Sequence, residues 1–569
     1  MAERVLYGPA VRTDHRFTGT TYGHHGTEAV QGSMPLLRDV IPKHRPTPWK
    51  ADMASSPLNI LLPTPVQRGG TGLPSGRTLM IHPPYVHDNY LARDIPFAPD
   101  RLPFLPVAPL YAAELMERHG IAEPTLFDCQ LHDLREAPDL EGYDSYGIAV
   151  MGAQNIAPAA DVHRYLTVDR AVPAERLHIG GQGIEKLSRE EFGRIFPGSQ
   201  KTDRQALSGL PGAMDIDLRR QLDRIPEADL RVYLTHEMTL PFSQGCMFGC
   251  SFCGAQTRKR ETFFNVRAHL DTACQLAERF GLSSLNLYCS SLDFFQQALP
   301  GGDLELLTGQ LESIIELKER HPGLHIDLHA LTRADSYNAA MSSDHVRDLV
   351  LNAGFNRFGF GADGAASVEV LRAMRKHADT LRSDLVTAFQ HMEENGLTPE
   401  ILYVFGIPEE TPETLAETRA LCGLLLETFP SSEYRGFPAK NEIPGNANWN
   451  RTGWKGSAAH QRLLDEPDQF LNLGFETLAN EISHEDPEMR LLVNHYAVDM
   501  SRHAHDLGRV RSYLTVPVSS PGAPVMDERT LDGFREIAAN YAPELTADLT
   551  TENLSERRAA LNSAIPKDY

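Results

Sequence analysis

The stretch Cys246-Met-Phe-Gly-Cys250-Ser-Phe-Cys253 places three cysteines within eight residues, at spacings of four and three. Apolar Leu240 and Phe242, just before it, indicate the end of a β-strand. The glycines at 245 and 249 permit a tight turn that directs the three thiols toward one point. Three thiolates can bind three irons of a [4Fe–4S] cluster and leave the fourth iron without a protein ligand. The stretch therefore predicts a metal site with an open iron, held by Cys246, Cys250 and Cys253.

Two other interpretations of the same stretch remain. The cysteines could bind zinc together with a histidine, but structural zinc sites usually carry paired Cys-x-x-Cys elements, and the chain has no second pair. They could also be ordinary buried thiols, which would not explain why three of the seven cysteines share one loop. The other four are scattered, and an odd total fits a reducing cytoplasm better than a disulfide framework. We therefore expect a cytoplasmic protein.

Length and charge narrow the class of protein. A chain of 569 residues is expected to form two to four domains. Its 54 basic and 76 acidic residues give a net charge of −22, which repels phosphate backbones and disfavours a nucleic-acid partner. The sequence shows neither an apolar run that could span a bilayer nor a signal-peptide core at its N-terminus. We expect no membrane partner.

Short apolar runs alternate with helical patterns over residues 77–185 and again over 236–440. This alternation is typical of parallel sheets, which bind ligands beyond the carboxyl ends of their strands. The sequence thus predicts an α/β protein. The predicted segments are an N-terminal extension (1–75), a Rossmann-like domain (76–200), a linker (201–235), a partial barrel (236–440) and a helical C-terminal unit (441–569).

The cysteine stretch, with Phe252 as the aromatic residue before the third cysteine, resembles that of radical S-adenosylmethionine (SAM) enzymes. In that family the open iron binds the amino and carboxylate groups of SAM. An electron from an external donor, such as flavodoxin or ferredoxin, then cleaves SAM to a 5′-deoxyadenosyl radical. The resemblance implies that residues 236–440 form a partial (β/α)6 radical SAM barrel with a [4Fe–4S] cluster and SAM as cofactors.

Four later stretches also resemble that barrel, in barrel order. Residues 331–335 resemble the segment whose arginine reaches toward SAM, and 353–364 the strand end where Glu is more usual than Asp. Residues 405–411 resemble the segment near the adenine, and 289–293 lie where the family contacts the SAM amino group, although they depart from its common Gly-Gly-Glu. The alternative for each polar residue is a structural ion pair or cap. The implied SAM contacts are Phe252, Ser290, Ser291, Asp293, Arg333, Asp363, Gly406 and Pro408.

The α/β unit before the cysteines resembles the cobalamin-binding domain of class B radical SAM methylases. Its predicted ligand loops are 83–93, 152–155 and 180–183. The Asp-x-His-x-x-Gly signature of histidine-ligated cobalamin proteins is absent, which implies cobalamin without a histidine from that motif. The residues expected near cobalamin are Tyr85, His87, Tyr90, Arg93, Gly152, Gly180 and Gly181.

The resemblance favours a cobalamin-dependent radical SAM methyltransferase that moves a methyl group from SAM, through methylcobalamin, to an unactivated carbon. The expected substrate is a small-molecule or peptide biosynthetic intermediate, and Tyr434, Asn446, Trp449 and Trp454 could line its cavity. Three alternatives remain: a cobalamin enzyme that catalyses ring contraction, cyclisation or another rearrangement, a radical SAM enzyme without cobalamin, and a non-catalytic iron–sulfur redox sensor.

Overall fold

The computed structural model describes residues 73–83, 104–137, 140–202, 204–234, 237–255, 259–376, 379–438, 442–473, 479 and 482–509. All of them belong to one unit, Leu61–Tyr569. Among these residues, no helix is both long and apolar enough to cross a bilayer. Four residues predicted to lie near cobalamin (Tyr85, His87, Tyr90 and Arg93) fall outside the described part of the chain, as do the N-terminal extension and residues 510–569.

The first sheet has five parallel strands in the order β2-β1-β3-β4-β5. The chain runs from β1 outward to β2 and then returns to the other side of β1 to form β3. In open α/β sheets such a reversal of strand order opens a crevice for a ligand at the carboxyl ends of the two strands. The strands are β1 (Gly76–His82), β2 (Ala122–Asp128), β3 (Ser145–Ala149), β4 (Leu177–Gly180) and β5 (Gln200–Lys201).

Helices connect these strands and continue into the segment predicted as a linker. The longest, α1, buries Leu110 and Leu115 in the main hydrophobic core, while Glu114 and Glu117 pair with Arg220 (2.8 Å) and Arg224 (2.7 Å). These ion pairs hold α1 against residues 219–224, which belong to the segment predicted as a linker. The helices are α1 (Val107–Arg118), α2 (Ile156–Arg164), α3 (Gln182–Glu185), α4 (Arg189–Ile195), α5 (Arg204–Ser208), α6 (Arg219–Leu222) and α7 (Glu227–Leu234).

The second sheet has six parallel strands that lie side by side in chain order, from β6 at one edge to β13 at the other. An antiparallel hairpin, β7–β8, is inserted after β6. The strands are β6 (Glu237–Pro241), β7 (Ser243–Cys246), β8 (Lys259–Phe263), β9 (Ser284–Ser290), β10 (His325–Thr332), β11 (Phe355–Gly361), β12 (Thr398–Phe405) and β13 (Glu433–Pro438).

Helices separate the strands of the second sheet, as the alternating pattern predicted. They cover its apolar face: in β10, Ile326, Leu328 and Ala330 are buried in the shared core, as the period of two in a strand requires. The helices are α8 (Val266–Arg279), α9 (Leu304–Arg320), α10 (Ala334–Met341), α11 (Asp344–Ala353), α12 (Val368–Ala373), α13 (Leu381–Glu394), α14 (Pro412–Thr428), α15 (Ala458–Asp465) and α16 (Pro487–Asp506).

The α/β class with parallel sheets is therefore confirmed, and strands alternate with helices in both stretches where the sequence shows that alternation. The described C-terminal residues pack in two places. Residues 442–473, which we call the return segment, place Trp449 and Leu463 in the core of the first sheet. Helix α16 packs on the second sheet, where Arg419 of α14 pairs with buried Asp499 at 2.7 Å.

Candidate functional site

The cysteine loop begins at the carboxyl end of β6, an edge strand of the second sheet. Cys246 closes β7, and Cys250 and Cys253 lie in the connection that leads to β8. Gly245 has a φ of +107°, and a Cβ atom there would lie 2.6 Å from the Arg260 carbonyl oxygen. Only glycine fits where the two hairpin strands approach this closely. The hairpin thus fixes the start of the loop.

All three cysteines are partly buried, and none of them forms a disulfide with another described residue. Burial raises the pKa of Cys246 to about 12 and that of Cys253 to about 11. Burial also raises the pKa of Cys250, but the charges of Lys376 and Arg333 act in the opposite direction. Thiolates are the metal-binding form of cysteine, so these two cations favour ligation by Cys250.

The described residues hold no group of three or more His, Cys, Asp or Glu side chains gathered closely enough for a single metal ion. A zinc ion needs four ligands around one point. The thiolates of an iron–sulfur cluster bind different irons, so they need not converge on one atom. The cluster and its three cysteine ligands therefore remain a prediction.

Arg333 lies against the cysteine loop at the carboxyl end of β10. Its guanidinium carbon is 3.9 Å from the centre of the Phe248 ring. Its Nε and Nη2 donate to the two carboxylate oxygens of Asp335 at 2.9 and 2.8 Å, and Nη1 donates to the Lys376 carbonyl oxygen. Burial acts to lower the pKa of Arg333, but the hydrogen bond and charge of Asp335 together with the charge of Asp293 outweigh burial, and the pKa is raised. The structural ion pair thus exists, and the cation it holds is next to the loop.

Asp293 is fully buried between the ends of β9 and β10. Its carboxylate accepts hydrogen bonds from the Thr332 hydroxyl (2.8 Å), the Arg333 backbone N–H (3.1 Å) and the Ser336 hydroxyl (2.7 Å). Burial raises the pKa of this carboxyl. Asp293 therefore ties two strand ends together, and its role toward SAM stays a prediction.

The neighbouring serines differ in exposure. Ser291 is buried and donates to Glu261 Oε1 at 2.9 Å, whereas Ser290 is only partly buried. Burial raises the pKa of Glu261 to about 8. A carboxyl group with this pKa is largely protonated near neutral pH.

Asp363 and Lys376 form a second buried pair, at the end of β11. Asp363 accepts from the Val404 backbone N–H at 2.8 Å and from Lys376 Nζ at 3.1 Å. The same ammonium donates to the Gly361 carbonyl oxygen and lies 6.0 Å from the centre of the Phe252 ring. The pair thus connects Phe252 of the cysteine loop with the ends of β11 and β12.

The turn after β12 carries Gly406 and Pro408. Glu410 accepts from the backbone N–H groups of Gly406 (2.7 Å) and Ile407 (3.2 Å) and so closes the turn. Gly406 has a φ of +79°, and a Cβ atom there would lie 2.2 Å from Val493 of α16. Glycine is needed at this position both because of its positive φ and because of the packing against α16.

At the first sheet, the loops after β3 and β4 are pressed together. Gly181 has a φ of +121°, and a Cβ atom there would lie 2.2 Å from the Val150 carbonyl oxygen. Gly152 donates its backbone N–H to Asn155 Oδ1 at 3.3 Å, and Gly180 accepts from the Val150 N–H. Hence the predicted glycines lie together at the carboxyl ends of β3 and β4.

Two buried polar atoms near this crevice have no hydrogen-bond partner among the described residues: Nδ1 of His82, at the end of β1, and Nδ2 of Asn155, after β3. Buried polar groups are normally paired, so each such atom requires an explanation. Their position at the reversal of strand order is where a ligand would supply the partners.

The return segment contacts the cysteine loop directly. Ala447 donates its N–H to the Ser251 carbonyl oxygen at 2.9 Å, and a Cβ atom on Gly445 would lie 2.8 Å from the Gly254 carbonyl oxygen. The same segment inserts Trp449 into the core of the first sheet, where its ring lies 5.0 Å from His460. Trp449 is completely buried by protein, so it supports this contact and does not line an open cavity.

Sequence reasoning missed Lys376, Glu261, Glu410 and Gln296, although all four are buried polar side chains around the cysteine loop or the strand ends. No local pattern marks them, because a lone Lys, Glu or Gln in a sequence usually lies on the surface. Glu410 lies within residues 405–411, which the sequence did single out, but only Gly406 and Pro408 of that segment were named as contacts.

Radical SAM enzymes are among the solved structures that the chain resembles. The methyltransferase TsrM from Kitasatospora setae with bound cobalamin and [4Fe-4S] cluster is 14% identical over 66% of this chain and 77% of its own, with a TM-score of 0.43. A second TsrM structure, with tryptophan substrate and a SAM analogue, is 14% identical over 65% and 74%, with a TM-score of 0.45.

A third solved structure with such a likeness is methylornithine synthase (PylB), at 16% identity over 40% of this chain and 61% of its own, with a TM-score of 0.27. No family model matches the chain. No curated protein matches it either.

Proposed function

We propose that this protein is a cobalamin-dependent radical SAM methyltransferase, which moves a methyl group from SAM to an unactivated carbon of a small-molecule or peptide intermediate. The observation that carries the proposal is the position of the cysteine motif. It lies at the carboxyl end of the first strand of a six-stranded parallel sheet, with the cations of Arg333 and Lys376 next to the aromatic rings of the motif. Parallel α/β sheets bind ligands at these strand ends.

The residues present fit an iron–sulfur cluster. Cys246, Cys250 and Cys253 would hold it, and the cluster, when bound, supplies the electron that cleaves SAM. The chain's own contribution is electrostatic and geometric. Arg333 and Lys376 hold positive charge beside Cys250, which stabilises its thiolate. The partial burial of the three cysteines limits the access of water to them.

The residues present also fit a ligand rich in hydrogen-bonding groups at the first sheet. Cobalamin, when bound, carries the methyl group, and we place it at the crevice between β1 and β3. His82 Nδ1 and Asn155 Nδ2 would bind its polar groups. The return segment supports two cofactors acting together, because it packs in the core of the first sheet and hydrogen-bonds to the cysteine loop.

The first experiment measures the bound cofactors. After anaerobic reconstitution and removal of unbound cofactor, we expect cobalamin near one per chain by optical absorption, together with iron. If the protein binds the cluster but retains no cobalamin, the result would favour a radical SAM enzyme without cobalamin. If the protein binds the cluster but does not cleave SAM, the result would favour a redox sensor and overturn the proposal that the protein is an enzyme.

The cysteines provide the matched test. Replacing Cys246, Cys250 or Cys253 by Ala should abolish 5′-deoxyadenosine formation and lower the iron content, because the cluster loses a ligand. Cys129→Ala, outside the loop, serves as the control and should keep both. Normal turnover in any of the three variants would contradict the proposal. The mass of the product then distinguishes a methylation from a rearrangement.

A further inference from the structure

Gln296 is a buried amide beside the cysteine loop. It begins a short 3-10 turn, Gln296–Ala298, and only 2% of its surface is exposed. The two residues before it, Phe294 and Phe295, are completely buried, and their rings pack 4.9 Å apart. Because these two rings fix the backbone just before Gln296, the Gln296 side chain has little conformational freedom and its hydrogen bonds keep their geometry.

The amide of Gln296 binds the backbone on both sides of Cys246. Its Nε2 donates to the Gly245 carbonyl oxygen at 3.2 Å, and its Oε1 accepts from the Met247 backbone N–H at 3.3 Å. Nε2 also donates to the Asp293 carbonyl oxygen at 3.2 Å. The Gly245 carbonyl oxygen needs a donor and the Met247 N–H needs an acceptor. A side-chain amide supplies both, from two atoms of one rigid group.

We infer that Gln296 is a positioning residue that orients Cys246 and keeps the reduction potential of the cluster low. The inference rests on the proposed function, since it concerns the cluster that Cys246 would hold. Hydrogen bonds to the sulfurs of a cluster help to set its potential. A donor stabilises the reduced state, which is the more negative one, and so raises the potential.

The backbone around Cys246 shows how Gln296 acts. Burial raises the pKa of the Cys246 thiol, and a backbone hydrogen bond from the Phe248 N–H acts in the opposite direction. The Met247 N–H, one residue closer in sequence, donates to Gln296 Oε1 instead. Gln296 thereby withholds a second amide from the sulfur side of the loop. A low potential suits a cluster that has to reduce SAM.

The test replaces Gln296 by Met, which has a similar shape but neither donates nor accepts as an amide does. Gln221→Met is the matched control: Gln221 is also buried, and its Nε2 donates to Glu114 and Glu117 of α1 at 3.1 and 2.8 Å. The readouts are the midpoint potential of the cluster, followed by electron paramagnetic resonance, and the rate of iron release to a chelator. Gln296→Met should raise the potential and speed iron release, while Gln221→Met keeps the wild-type potential.

An unchanged potential in Gln296→Met would overturn the inference, even if iron were lost faster, because a purely structural role predicts only that loss. If this variant holds no cluster, Gln296→Glu keeps an acceptor for the Met247 N–H and should show a potential at or below the wild-type value. A higher potential in Gln296→Glu would also overturn the inference. Failure of the wild-type protein to bind a cluster would instead contradict the proposed function.

Discussion

Glu410 is buried in the turn after β12, and its carboxylate accepts hydrogen bonds from two backbone N–H groups and from the Tyr403 hydroxyl. Burial nevertheless raises its pKa from 4.5 to about 7. Hydrogen bonds to the charged form oppose this shift, so the loss of hydration is the larger effect. At the scale of one residue, the Glu410 carboxyl group therefore loses its proton and becomes negatively charged near neutral pH.

This shift predicts how stability depends on pH. Between about pH 4.5 and 7 the unfolded chain has lost the Glu410 proton while the folded protein retains it, so stability falls as pH rises. The full effect is about 3 kcal/mol, because one pKa unit corresponds to about 1.4 kcal/mol. Glu410→Gln, which stays neutral, should therefore gain up to this amount relative to the wild type between about pH 5 and about pH 8.

Denaturant unfolding at the two pH values measures the effect. Glu417→Gln is the control, because the side chain of Glu417 is exposed on the nearby helix α14. It should follow the wild-type dependence on pH. A Glu410→Gln profile parallel to that of the wild type would show that the buried carboxyl does not titrate in this range.

At the scale of elements, α16 packs against the end of β12 and fixes the residue type there. Gly406→Ala would place a Cβ atom 2.2 Å from Val493 and would keep a φ of +79° that side chains rarely adopt. The sum of overpacking and backbone strain is expected to lower the free energy of unfolding by about 2–4 kcal/mol. Chemical denaturation would measure this change.

Two further variants distinguish backbone strain from steric overlap as the cause of the lost stability. Gly396 has a φ of +69°, and a Cβ atom added there would meet no atom of the described residues within 4 Å. Gly396→Ala therefore carries the backbone strain alone and should cost less than Gly406→Ala. Adding Val493→Ala to Gly406→Ala removes the steric contact, and the two costs should be less than additive. Full additivity would mean that α16 does not press on this turn.

The secondary-structure elements could be predicted from the sequence, whereas contacts between distant residues could not. The strands were predictable because parallel strands such as β9 (Ser284–Ser290) are short apolar runs between helical patterns. The cysteine motif could be recognised for the same reason, because its signal is local, and the site it predicts stays a prediction. Lys376 and Gln296 were not predictable, since their roles depend on contacts with Asp363 and with the loop around Cys246. Those contacts arise only when distant parts of the chain pack together.

At the scale of the molecule, the return segment connects the core of the first sheet with the cysteine loop. Trp449 is completely buried in that core, and Asn446 Oδ1 accepts from its backbone N–H at 2.8 Å. Ala447, between them, donates to the Ser251 carbonyl oxygen within the loop. A change in the packing of Trp449 therefore reaches the cysteines through a short stretch of backbone.

We accordingly predict that Trp449→Ala weakens the cluster although Trp449 lies in the core of the other sheet. Loss of this side chain should cost about 3–5 kcal/mol of stability and loosen the backbone at Ala447. The rate of iron release to a chelator, measured on the reconstituted protein, should increase. Leu311→Ala is the control, because Leu311 is equally buried but lies on α9 in the other core. Equal iron release in two variants of similar stability would mean that global loosening explains the effect, whereas faster release in Trp449→Ala alone would establish that the return segment couples the two sheets.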